Sequence, residues 1–184
     1  MVAEREKVFW YVLFAANGKA AKITSILETA NIEYFFPMYY KRKQIGDSNQ
    51  TKCTLQPLLR NLVFVKSSKA CLEPHLKEIK LRLDIASDLY YRSLGTKKII
   101  VVPEIQMKHF IAVAGCMSER IIYLSNEEIN LKKGTRVRIM GGVFEGLEGV
   151  FMRIKGDRRV VVNLPDLFSV ATAFIPTHLI QPLE

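Results

Sequence analysis

The chain has few of the residues that build covalently linked or metal-held folds. Among its 184 residues there are three cysteines, three histidines and one tryptophan. Three cysteines at unrelated spacings cannot complete a disulfide framework within one chain, and Cys71 with His75, at helical spacing, supplies only two of the ligands that zinc needs. We therefore expect reduced, buried cysteines, no bound metal and no cofactor.

Long hydrophobic runs are also missing. The apolar stretch at residues 8–16 is much shorter than the roughly 20 residues that span a bilayer, and acidic residues lie among the basic residues that precede it. We interpret this stretch as a buried strand and not as a secretory signal. The expectation is a soluble, cytoplasmic protein that does not associate with membranes.

The motifs of common enzyme classes are not present in the sequence. Gly18 and Lys19 lack the upstream glycine of a phosphate-binding loop, there is no nucleophile elbow, and the histidines have no catalytic neighbours. No pair of carboxylates is singled out by its local spacing as an acid and base. We predict that the protein is not an enzyme.

Positive charge, in contrast, is plentiful and unevenly placed. The formal net charge is +9; residues 1–120 hold 19 Lys and Arg against 11 Asp and Glu, whereas residues 121–184 hold 8 against 7. Basic surfaces attract the phosphate backbone, so nucleic acid is expected to meet the first part of the chain. A solvated basic face that serves solubility is the alternative.

Residues 1–116 alternate between patterns typical of strands and of helices. Apolar segments predict central strands at residues 8–14 and 58–65. An aromatic segment at 34–40 and its return at 52–56 flank a polar tip, which predicts a basic hairpin. Apolar residues at helical spacing predict three helices, at residues 19–31, 72–83 and 104–116. The pattern predicts an α+β domain with an antiparallel sheet and flanking helices.

The last third carries a glycine-punctuated signature at residues 134–139 and 141–150. Alternating apolar and polar residues predict a strand, and Gly146 and Gly149 are expected at a bend where a side chain would clash. Further strands are predicted at residues 150–154, 159–163 and 167–174. About five short strands in this length predict a small, closed or nearly closed barrel.

These motifs, in this order, resemble those of a NusG-type transcription elongation factor. The resemblance lies in the strand with Trp10-Tyr11-Val12-Leu13, Gly18, the basic hairpin, the strand at 61–65 and the glycine signature, which resembles a KOW domain. Within that family the chain looks most like specialised paralogues, the RfaH-like and UpxY-type antiterminators of polysaccharide operons, and residues 100–103 and 171–176 resemble those of the UpxY type. The resemblance implies an NGN-like polymerase-binding domain at 1–116, a linker at 117–131 and a KOW (SH3-like) barrel at 132–184.

The resemblance also implies a partner and a mechanism. Factors of this type bind the clamp coiled coil of RNA polymerase through an apolar patch and suppress pausing and termination, without bond chemistry. The matching positions are Phe14, Leu62 and Phe64, of which Leu62 and Phe64 lie two apart and share a sheet face. The alternative is that these side chains face the core of their own domain.

Nucleic-acid contacts follow from the same resemblance. It points to basic residues that contact upstream duplex or the non-template DNA strand, with a solvated charge run as the alternative. These are Lys19, Lys22, Lys41, Arg42 and Lys43.

A partner loop is implied in the KOW domain, at Leu164, Leu167 and Phe168. General factors carry an aromatic residue where this chain has Leu167. We therefore hypothesise that contact with the termination factor is lost, while another protein partner of this loop stays open. We expect a monomer.

A KOW-type RNA-binding or ribosome-associated protein is the alternative function. That interpretation predicts positive charge on the barrel, whereas residues 121–184 are almost neutral overall. The N-terminal sheet with its apolar strands would also have no purpose in such a protein.

Overall fold

The computed structural model describes residues 7–44, 51–116, 121–124, 134–164 and 166–183, with the backbone alone at 42–44. The helices in these residues are α1 (Ala20–Thr29), α2 (Lys69–Arg82) and α3 (Glu104–Ala114), with a 3-10 turn at Thr177–Leu179. The strands are β1 (Val8–Phe14), β2 (Tyr34–Phe35), β3 (Met38–Gln44), β4 (Thr51–Pro57), β5 (Leu62–Ser68), β6 (Val101–Val102), β7 (Ile122–Leu124), β8 (Thr135–Ile139), β9 (Glu148–Ile154), β10 (Asp157–Leu164), β11 (Phe168–Ala171) and β12 (Ile180–Pro182).

The chain forms two compact units. The first takes its described residues from Met1–Phe36 and Leu59–Glu104, and the second from Pro37–Leu58 and Ile105–Glu184. The hairpin and all of α3 after its first residue therefore belong to the second unit. The domain boundaries at 116 and 132 were drawn from sequence motifs, whereas the compact units are defined by packing. These boundaries therefore remain a prediction.

The first unit is built on a four-stranded antiparallel sheet in the order β2-β5-β1-β6. β1 pairs with β5 over its whole length, and its almost continuous apolar sequence suits this central place. One sheet face packs against α1 and α2, and the residues of this core alternate along the strands. They include Tyr11, Leu13, Val63 and Val65 from the strands, with Ile23, Leu27, Leu72, Leu76 and Ile79 from the helices.

The second unit contains a six-stranded antiparallel sheet in the order β12-β8-β9-β10-β11-β7. Its two outer strands, β12 and β7, do not pair with each other in the described residues, so strand pairing does not close the sheet. The ring of Phe110 on α3 meets the ring of Phe168 on β11 edge-on, with 5.5 Å between centroids. Aromatic pairs of this geometry stabilise beyond their buried area, so α3 is a packed element of this unit.

β3 and β4 form the predicted hairpin as a separate two-stranded sheet. Lys41 lies opposite Thr54 and Lys43 opposite Lys52 in its register. The predicted tip at 46–50 falls outside the described residues.

The predicted linker includes strand β7, which pairs with β11, and its bounds remain a prediction. The expectation for the cysteines differs from the structure. The cysteines, expected to be buried, are all exposed: Cys53 lies on β4, Cys71 in the first turn of α2 and Cys116 just after α3. Cys53 and Cys71 lie on exposed sides of their elements, and Cys116 lies beyond the end of α3. The burial that is usual for free cysteine is therefore not found at these positions.

Candidate functional site

The sheet face of the first unit that lies opposite α1 and α2 carries the three predicted binding residues. Phe14 pairs directly with Leu62, and Val12 pairs with Phe64, which also pairs with Phe35 on β2. Directly opposed residues of antiparallel strands share a face. The register therefore brings Phe14, Leu62 and Phe64 together on one face, as the sequence predicted for Leu62 and Phe64.

Burial changes along this face. Phe64 and Val12 have no exposed surface, whereas Phe14 keeps 37% of its surface exposed and Leu62 is half-buried. The ring of Phe14 lies 6.0 Å from that of Tyr91, centroid to centroid. The accessible part of the face is therefore at the end of β1 and the start of β5, and Phe64 lies buried beside it.

Four side chains make up this accessible part, and we call them the aromatic rim. Phe35, whose ring lies 6.5 Å from that of Phe64, and Tyr91 are half-buried like Leu62. The members of the aromatic rim are Phe14, Phe35, Leu62 and Tyr91. Rigid aromatic side chains that are partly exposed on a strand surface suit a protein partner, because they bury large area at low entropic cost.

Phe35 and Tyr91 were not among the residues predicted from the sequence. The aromatic run at Tyr34, Phe35 and Phe36 was a signal for the first of them. For Tyr91, the sequence does not tell which strand its segment joins. Backbone bonds from Phe14 N to Leu89 O (2.7 Å) and from Tyr91 N to Val12 O (2.8 Å) place that segment beside β1.

The other end of the same face is polar and internally satisfied. Lys66 Nζ lies 2.9 Å from Glu104 Oε1 and 3.8 Å from Glu33 Oε2, and 5.7 Å from the centre of the Trp10 ring. Trp10 Nε1 donates to the second oxygen of Glu104 at 3.0 Å. The hydrogen bond to Glu104 is the main cause that raises the pKa of Lys66 above its usual value. This end is therefore a structural network, and the aromatic rim is the part suited to binding.

Lys19, a predicted nucleic-acid residue, has a structural role in the first unit. Its Nζ donates to Leu83 O at 2.8 Å and to Asp84 O at 3.2 Å, just beyond the C-terminal end of α2. A cation at a helix C-terminus stabilises the exposed carbonyls and the helix dipole. The amino group is therefore already occupied by protein acceptors.

The other predicted basic residues are spread over both units. Lys22 is exposed on α1 in the first unit, and Lys41 is exposed on β3 in the second. Arg42 and Lys43 follow Lys41 on β3, opposite Cys53 and Lys52. Their role in binding nucleic acid stays a prediction.

The predicted KOW partner loop is mostly buried. Leu164 has no exposed surface, and Phe168 is 8% exposed between the rings of Phe110 and Tyr123. Leu167 is half-buried, and Asp166 beside it is exposed with a φ of 61°. Only Leu167 of the three predicted residues is therefore accessible to a partner.

Neither a metal centre nor a membrane-spanning helix is found in the described ranges. No three His, Cys, Asp or Glu side chains converge there as a ligand set. Across the same residues, none of the helices has the length and apolar character needed to cross a bilayer.

Partly exposed aromatic side chains on one sheet face are typical of protein-binding modules. The family model described as transcription termination factor NusG matches residues 9–111, which is more than half of the chain. The chain therefore belongs to the NusG family. These are transcription factors that bind RNA polymerase and are not enzymes, which agrees with the predictions made from the sequence at this level. No curated protein matches the chain.

Proposed function

We propose that this protein is an antitermination and elongation factor that binds the clamp coiled coil of RNA polymerase through the aromatic rim. The observation that carries the proposal is the exposed ring of Phe14, held between Leu62 across the strand pair and Tyr91 at 6.0 Å. Membership of the NusG family supports the choice of partner. Leu62 and Phe14 make the contact, and the buried ring of Phe64 lies beside them on the same sheet face.

Binding energy drives the proposed mechanism. A factor that binds the elongating polymerase more tightly than the paused polymerase shifts the equilibrium toward elongation by that difference in affinity. No bond is made or broken, so the factor needs no cofactor. The C-terminal unit, which we propose to be a KOW domain, offers a second protein partner the accessible side chain of Leu167.

Replacing Phe14 with serine tests this proposal. Truncation of a central aromatic anchor removes about 2 kcal/mol of binding energy, so we expect at least about a tenfold loss of affinity for polymerase. Read-through of a terminator in transcription with purified polymerase should fall with it. Measurement of both quantities on the same preparation links binding to activity.

Phe9→Ser is the matched control for this experiment. Phe9 lies on the same strand, is 41% exposed and contacts Tyr11 on the opposite sheet face, with 6.2 Å between ring centroids. Its loss removes an equal aromatic surface without touching the aromatic rim. Equal read-through in the two variants would show that the aromatic rim is not the polymerase contact.

We further propose that the factor serves polysaccharide biosynthesis operons. Support comes from residues 100–103 and 171–176, which are similar to those of UpxY-type antiterminators. Deletion of the gene is expected to lower promoter-distal transcripts of such operons several-fold and to leave other long operons unchanged. Transcript profiling measures this, and a uniform loss across all long operons would indicate a general elongation factor instead.

A further inference from the structure

Three exposed cations of the second unit lie together on the hairpin of β9 and β10. Arg153 on β9 pairs directly with Arg158 on β10, and Lys155 lies in the two-residue turn between these strands. All three side chains are exposed, and we call them the hairpin cations. Directly opposed like charges destabilise an antiparallel pair, so the fold gains nothing from this arrangement.

Nearby acidic residues do not neutralise the hairpin cations. In the part of the chain that the structure describes, none of the three has an ion pair. Asp157, in the same hairpin, binds Arg159 Nη2 at 2.9 Å, and Glu148 accepts from Arg138 Nε at 3.0 Å. The net charge of residues 121–184 is close to zero, but the hairpin cations still form a local positive surface.

The turn itself holds Lys155 in an unfavourable backbone conformation. Lys155 has a φ of 49° and Gly156 a φ of 90°, which is the pattern of a type I′ hairpin turn. Asparagine and glycine are the preferred residues at such positions, because a longer side chain is strained at positive φ. Lysine is disfavoured in this backbone conformation, yet here it places a positive charge at the tip of the hairpin.

An exposed aromatic ring lies on the neighbouring segment of backbone. Phe174 is 58% exposed, and Ile175 N donates to Arg158 O at 3.2 Å. Arg159 Nη1 donates to Thr172 O at 2.7 Å, which fixes the other side of the same segment. These bonds hold the backbone segment that carries Phe174 alongside the start of β10, where Arg158 lies.

We propose that the hairpin cations and Phe174 form a binding site for single-stranded nucleic acid. Cations that follow a phosphate backbone, combined with an aromatic ring on which an unpaired base stacks, are the two components of such sites. Duplexes have no free base face for Phe174, so the site distinguishes single strands. This site shares no residue with the aromatic rim and does not depend on polymerase.

The test measures binding of the full chain, without polymerase, to a labelled RNA oligonucleotide, to DNA of the same sequence and to the corresponding duplex. Fluorescence anisotropy over a salt series gives affinity and its salt dependence. We expect tighter binding of single strands than of duplex. The preferred single strand, RNA or DNA, identifies the natural source.

Two kinds of variant separate the two components of the site. Combined Arg153→Gln, Lys155→Asn and Arg158→Gln should reduce the slope of log affinity against log salt by about 2, at roughly 0.7 for each lost phosphate contact. Phe174→Ser should weaken single-strand binding about tenfold and leave that slope unchanged, since stacking releases no counterions.

Lys155→Asn alone has a matched control in Lys97→Asn. Lys97 is also exposed and also has a positive φ, 56°, but it lies in the first unit. Both changes relieve the same backbone strain, so thermal unfolding should occur at an equal or higher temperature in both. Only Lys155→Asn should lower single-strand affinity and reduce the salt slope, by about 0.7.

Three results would overturn the proposal. They are an absence of single-strand binding by the unchanged chain, equal affinity for duplex and single strands, and an equal loss of affinity in Lys97→Asn and Lys155→Asn. The last of these would mean that the overall charge of the protein, and not this site, attracts the strand.

Discussion

Replacing Phe64 with alanine is expected to destabilise the protein by about 3–5 kcal/mol, the range found for large aromatic side chains removed from a packed interior. Phe64 has no exposed surface, and it lies on β5 between the central strand β1 and the edge strand β2. Its removal leaves a cavity that the paired backbones on both sides cannot close. Urea unfolding followed by circular dichroism measures the loss, with an unchanged dependence on denaturant.

Phe14→Ala is the matched comparison for this prediction. Phe14 lies on the same sheet face but keeps 37% of its surface exposed, so its loss should cost only about 1 kcal/mol. If Phe64→Ala costs as little as Phe14→Ala, then Phe64 is open in solution and is itself a binding residue. The expected difference also means that a charged residue at position 64 would abolish read-through by unfolding the protein, and only Phe14 reports on the contact.

β1 and the three helices were predictable because each carries its own local pattern, which is an apolar run in β1 and helical spacing of apolar residues in α1, α2 and α3. β1 runs from Val8 to Phe14 as its apolar sequence predicted, and all three predicted helices are present with ends shifted by up to three residues. β7 and β12 were not predicted as strands. Each has only three residues and is defined by pairing with a strand distant in sequence, β11 and β8 respectively. Such pairing is decided by tertiary contacts that local pattern does not record.

Local pattern predicts which residues of the candidate site share a face, but it does not predict how deeply they are buried. Alternation along β5 places Leu62 and Phe64 on one face, but it does not tell how deeply each is buried. Depth depends on neighbours from other strands, such as Phe35, and on the segment that brings Tyr91 beside Phe14. The charge total of residues 121–184 likewise gave no sign that Arg153 and Arg158 are paired across a hairpin.

Gly149→Ala is expected to destabilise the second unit by about 3 kcal/mol, as extra atoms do in an interior without space for them. A Cβ at this position would lie 2.5 Å from Val161 O and 2.7 Å from Val160 Cγ1, both on β10. The carbonyl belongs to paired backbone, so it can move only if β10 moves. The expected clash at Gly149 is thus found within strand β9, whereas Gly146 has open space and a φ of 78°.

Gly95→Ala is the control for the change at Gly149, since no atom lies within 4 Å of a Cβ at Gly95 and its φ is not positive. Its effect should stay within about 0.5 kcal/mol, as for most surface substitutions. Urea unfolding of the two variants measures the difference. A similar midpoint in both would mean that β9 and β10 separate easily at this point. Gly149 would then not be needed for the close approach of these two strands. The turn that carries Lys155 joins the same strands, so it would not be held rigidly.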